Sequence, residues 1–68
     1  MANKIYNIRT GYVITCVQAG DDTIRVAREI ARERGHAVIV EGVTGKYKIT
    51  PNGHKSPPPK WWSPTRIA

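Results

Sequence analysis

Residues 37–42 read AVIVEG, and the polar alternation of a one-sided strand is missing from them. In an extended chain Val38 and Val40 project one way while Ala37 and Ile39 project the other, so both faces are apolar and both require cover. The segment just upstream, DDTIRVAREIARER (residues 21–34), supplies one cover. Asp21 or Asp22 can accept hydrogen bonds from the free amides of a first helical turn, and Gly35 can take the left-handed conformation that ends a helix. At about 100° per residue, Ile24, Val26, Ala27, Ile30 and Ala31 fall on one half of that helix, and Arg25, Arg28, Glu29, Arg32 and Glu33 fall on the other. The small Ala27 and Ala31 allow close approach to a sheet.

Working outward, YVITCVQ (residues 12–18) is rich in β-branched residues and reads as a second strand apolar on both faces. Val13 and Val17 are expected on one side, Ile14 and Cys16 on the other, with Cys16 a small core residue. KYKIT (residues 46–50) differs: Tyr47 and Ile49 share one face, and Lys46, Lys48 and Thr50 share the half-exposed other. VTGK (residues 43–46) places Gly45 at a tight hairpin turn. KIYNI (residues 4–8) forms a further strand, turned back through Thr10 and Gly11.

The fold class is therefore α+β: a small single-layer sheet of three to four strands with one helix packed on one face, in the order β-β-α-β-β. The sheet is antiparallel or mixed. All five prolines lie from Pro51 onwards, so PNGHKSPPPKWWSPTRIA (residues 51–68) is expected to be a turn followed by an extended Pro/Trp-rich C-terminal tail. The division is a single α+β domain over residues 1–54 and a basic tail over 55–68.

A helix of about 13 residues is roughly 20 Å long and covers one side of a small sheet. The second apolar face needs something else: Trp61 and Trp62 folding back, a second copy of the chain, or a partner. A chain of 68 residues buries only about 60% of the surface its unfolded form exposes, and Phe is absent, so these indoles carry much of the available aromatic mass. Burying one of them contributes on the order of 3 kcal/mol.

Eleven Lys and Arg stand against five Asp and Glu, giving a net charge of +6 that favours nucleic acid or an acidic protein surface. Its distribution is uneven. Residues 21–34 hold four Arg and four acids, and Arg25 can pair with Glu29 one turn on. Arg25, Arg28 and Arg32 nevertheless line one edge of the helix and could follow a phosphate backbone. The excess lies outside the helix, on Lys4, Arg9, Lys46, Lys48, Lys55, Lys60 and Arg66 against Glu41. A single cysteine fits a reducing compartment, and the opening MANKIYNIRT lacks the apolar run of a signal peptide, so a cytoplasmic location is expected, with no membrane span.

Chemistry-bearing patterns are few. GVTGK (residues 42–46) lacks the spacing, the following Ser or Thr and the following helix of a phosphate-binding loop, and reads as a hairpin. Asp21 and Asp22 serve as helix caps rather than as an acid–base pair, since adjacent residues do not face one substrate. Cys16, His36 and His54 sit in three segments without metal-ligand spacing, so no metal and no cofactor is expected. Ser56 and Ser63 lie in the Pro-rich tail with no His and Asp arranged around them, and an enzyme is not expected.

What remains is a small non-enzymatic basic binding module. It would bind nucleic acid through Arg25, Arg28, Arg32, Lys46, Lys48, Lys55, Lys60 and Arg66, with Trp61 and Trp62 as stacking surfaces. The alternative is an inhibitor or adaptor that docks on another protein through a sheet face or the Trp tail, because Trp and Arg also dominate protein hot spots. In size and style the chain is similar to the small accessory proteins that bacteriophages and other mobile elements encode, which favours the latter role. A homodimer is a third possibility.

Overall fold

The helix is bounded as its sequence dictates. In a computed structural model describing residues 2–18, 22–43 and 45–65, α1 (Thr23–Arg34) starts after Asp22, whose Oδ1 accepts from the Arg25 amide at 3.1 Å. It stops at Gly35, which has φ +77° and donates its N–H to the Ala31 carbonyl at 2.8 Å. Asp21, the other candidate cap, lies outside the described residues. Residues four apart share the face turned to the sheet: Thr23, Ala27 and Ala31 are buried, and Thr23 Oγ1 accepts from Asn3 Nδ2 at 2.9 Å, tying the first turn to the first strand. Ile24 is 41% exposed, contrary to its expected place in the apolar stripe. It sits in the first turn, at the edge of a stripe whose centre is Ala27 and Ala31.

Among the described residues, five antiparallel strands form one sheet: β1 (Ala2–Asn7), β2 (Val13–Gln18), β3 (Val38–Gly42), β4 (Gly45–Ile49) and β5 (Lys55–Ser56), side by side in the order β2-β1-β3-β4-β5. The α+β class with one helix holds; three to four strands becomes five, because Lys55 and Ser56 pair with Ile49 and Lys48. Those two residues belong to the sheet edge rather than to an extended segment. Since β1 separates β2 from β3, the helix connection spans a strand formed earlier in the chain.

On the helix side of the sheet, Ile5, Val17, Val38, Val40 and Ile49 enclose Ala27 and Ala31, with Ile14, Val26, Ile30 and Tyr47 at the margin. Ala31 is fully buried, so Ala31→Leu should overpack this layer and cost about 1–3 kcal/mol, read as a lowered urea midpoint with unchanged slope.

The far side of the sheet has its own small cluster: Tyr6 and Ile39, with Ile8 beside them, lie under Trp62. All three of Val38, Ile39 and Val40 have no exposed surface, so β3 is apolar on both faces and covered on both. For β2 the same expectation fails. Ile5 pairs with Thr15 but Tyr6 pairs with Val13, leaving Ile14 as a bulge residue that reverses the alternation. Val17 and Ile14 therefore meet the helix-side core, Val13 is 47% exposed, and Cys16 is exposed rather than buried. Being the outermost strand, β2 has a neighbour, β1, on one side only.

Candidate functional site

The sheet divides the nominated cations into two groups. On the helix side stand Arg25, Arg28 and Arg32, all exposed. Arg25 Nη1 pairs with Glu29 Oε1 at 3.2 Å, one turn along the helix. The Arg28 stem lies over the turn after β4, where a Cβ on Gly53 would come within 3.0 Å of Arg28 Cδ. Lys55 joins this side: its Nζ lies 4.6 Å from the centroid of the Tyr47 ring, which packs on the helix-side core. Burial pushes the Tyr47 phenol pKa above its ordinary value.

On the far side stand Lys46 and Lys48, as the alternation of β4 requires. Lys48 is opposite Ile39, directly beside the apolar cluster that Trp62 covers, and Lys46 is opposite Glu41. The Glu41 carboxylate has two partners: Oε1 accepts from the Tyr6 hydroxyl at 3.0 Å and Oε2 lies 3.9 Å from Lys46 Nζ. Lys4, on β1, is the other cross-strand neighbour of Glu41. Neither Lys4 nor Lys48 has a carboxylate within ion-pair distance among the described residues. Lys4 counts in the sequence only as part of the charge excess; the register of β1 against β3 brings it to this face.

Trp62 is fixed and Trp61 is not covered. Trp62 is 8% exposed and meets Tyr6 edge-to-face, with ring centroids 5.4 Å apart and planes at 75°. Its Nε1–H is buried with no acceptor among the described residues, a cost of about 1–3 kcal/mol. The indole's burial, on the order of 3 kcal/mol, together with about 0.5–1.5 kcal/mol from the aromatic pair, outweighs it. Trp61 is 72% exposed. The two adjacent indoles thus have opposite environments, a distinction that composition cannot express.

Beyond Trp62 the chain is attached to the β1–β2 turn. The Thr65 amide donates to the Gly11 carbonyl at 2.9 Å, and its hydroxyl donates to the Thr10 carbonyl. Gly11 has φ +77°, and a Cβ there would stand 2.8 Å from the Thr65 nitrogen, so the close approach depends on glycine. Asn7 Oδ1 holds the turn from within, accepting from the Arg9 and Thr10 amides at 2.8 and 3.3 Å. Between turn and tail lies a groove of about 210 Å³, with Ile8, Arg9 and Thr10 on one wall and Trp61, Trp62 and Ser63 on the other. Lys60 is exposed beside it in sequence, and Arg66 lies outside the described residues.

The remaining candidates stay apart. Cys16 is on β2, the His36 ring nitrogen Nδ1 lies 2.9 Å from the Ala37 carbonyl, and His54 is in the β4–β5 turn, where Thr50 Oγ1 accepts from its amide. Among the described residues no three of His, Cys, Asp and Glu gather where they could hold a metal ion, and no helix is long and apolar enough to cross a membrane. Gly42 and Gly45 face each other across a β-hairpin instead of opening a helix. Comparison of the chain with protein-family models, with curated proteins and with solved structures finds no match.

Proposed function

We propose that this chain is a non-enzymatic binding module for nucleic acid, and that the far face of the sheet is the side that meets it. The observation that carries this reading is the charge on that face. Lys4, Lys46 and Lys48 stand there around a single acid, Glu41, which Tyr6 and Lys46 already engage. Arg9 and the exposed Trp61 line a groove with Trp62, the cover of the same face, and the exposed Lys60 precedes Trp61 in the chain. The helix arginines lie on the opposite side, where Glu29 and Glu33 offset them, and contribute less. Phosphates are polyanionic and abundant along one strand, so cations spaced over a sheet face can displace their counterions together.

Salt dependence tests the reading. With three phosphates neutralised, affinity for an oligonucleotide should fall about 20- to 40-fold between 50 and 200 mM salt, on slopes of about −0.7 to −0.9 per phosphate. Lys48→Ala should flatten that slope by about one contact, while Arg25→Ala leaves it unchanged. Absence of binding at 50 mM salt defeats the proposal. A second reading, an adaptor that docks on another protein, is supported by β2: this edge strand carries no charge, and its first residue Val13 and the preceding Tyr12 are about half exposed. Salt-insensitive association would favour that reading instead.

A further inference from the structure

Trp61 is costly where it stands. A chain with two Trp and no Phe leaves one indole largely in water, although its neighbour shows that an indole can be buried within one residue of it. Loose tails do this without meaning, but this segment is held. The Trp62 amide donates to the Pro59 carbonyl at 3.1 Å, closing a turn that contains Trp61; the buried Trp62 ring anchors that turn, and beyond it Pro64, with its fixed φ, and the Thr65 bonds to Gly11 and Thr10 hold the chain. The opposite wall is equally set, since Asn7 fixes the backbone of Arg9. An exposed aromatic ring on a rigid frame, facing a guanidinium-bearing turn across a groove, is a preorganised surface for a flat ligand.

The groove's size and chemistry narrow the ligand. At about 210 Å³ it is smaller than the roughly 300–1,000 Å³ of sites for drug-sized molecules, and it suits one ring system. Arg9 on the wall, and Lys60 next to Trp61 in the chain, disfavour a cation, which removes the quaternary ammonium ligands that aromatic surfaces otherwise attract. They favour a ring that carries a phosphate. The Thr10 and Ser63 hydroxyls add donors for a polar ring edge, and the Thr65 oxygen, whose hydrogen goes to the Thr10 carbonyl, adds an acceptor. A base inside a duplex presents no face for stacking, whereas an unpaired base does.

We infer that the groove between the β1–β2 turn and Trp61–Thr65 is a subsite for one unpaired nucleobase, stacked on Trp61 with its phosphate at Arg9, so that the nucleic acid bound is single-stranded. This rests on the nucleic-acid reading above and specifies its substrate. The test is a titration at 50 mM salt with a ten-residue oligothymidine and with the same strand in a duplex, followed by tryptophan fluorescence and by anisotropy of a labelled strand. The single strand should quench the fluorescence and bind more tightly than the duplex. Trp61→Ala should remove the quenching and weaken single-strand binding about ten-fold or more, a larger factor than its effect on duplex binding. Trp61→Tyr, which keeps a ring, should restore much of the affinity, and Arg9→Gln should lower the single-strand salt slope by about 0.7. Equal binding of single strand and duplex, with Trp61→Ala matching the unsubstituted protein, overturns the subsite and leaves the nucleic-acid reading standing. No binding of either form overturns both.

Discussion

Trp62→Ala should bring the protein close to its unfolding midpoint at 25 °C, while Trp61→Ala, one residue earlier, should change stability by no more than about 0.5 kcal/mol. The first substitution removes an indole that is 8% exposed and uncovers Ile39 and Tyr6, which otherwise have almost no contact with water. Truncating a buried Trp costs about 3–5 kcal/mol, and a hydrophobic core in a chain this small supplies only about that much in total. Each kcal/mol moves the melting temperature of a 60–100-residue domain by about 4–8 °C, so the two variants should differ by more than 10 °C in a thermal melt followed by circular dichroism. Equal melting temperatures would show that the far face does not need its cover.

A similar contrast between two glycines isolates the attachment of the tail. Gly11 and Gly35 share φ +77°, so alanine at either incurs the cost of a left-handed conformation, about 1–2 kcal/mol. At Gly35 a new Cβ meets nothing within 4 Å. The Cβ of Gly11→Ala would stand 2.5 Å from Thr65 Oγ1 and 2.8 Å from the Thr65 nitrogen, a backbone atom that cannot rotate aside. Separation of the two segments then removes the Thr65–Gly11 hydrogen bond, about another 1 kcal/mol. Gly11→Ala should therefore cost about 2–3 kcal/mol and expose the Thr65 amide to rapid hydrogen exchange, whereas Gly35→Ala costs about 1–2 kcal/mol and leaves that amide protected. If both variants lose the same stability and Thr65 exchanges alike, the contact at Gly11 contributes nothing.

What was readable in the residues was local. Asp22 and Gly35 mark the helix ends through interactions within one turn, and the alternation of Lys46 and Lys48 with Tyr47 and Ile49 fixes the faces of β4 from five consecutive residues. The double-sided demand of Val38, Ile39 and Val40 was likewise plain, because no one-sided strand has that composition. Strand order was not readable. It alone makes β2 an edge, and so leaves Val13 and Cys16 in water although their neighbours look like those of a core strand. The bulge at Ile14 was hidden for a related reason: one unpaired residue inverts every side chain beyond it, and nothing in VITCVQ announces it. The helix arginines and the lysines of β4 looked like one basic set, but a sheet separates them. Arg9 showed no link to the Trp pair, since the β1–β2 turn and the tail meet only across 55 residues of chain.

That distance also orders events in time. Closing the 55-residue loop between Thr10 and Thr65 costs more chain entropy than pairing β1 with β2 or β3 with β4, so there is an interval in which the hairpins have formed and the Trp62 segment has not docked. Throughout that interval Tyr6 and Ile39 form a bare, sticky patch on an otherwise assembled sheet, open to mispairing with other folding chains. Latching of the Trp62 segment is thus the late step, and its speed decides how long the folding protein is vulnerable.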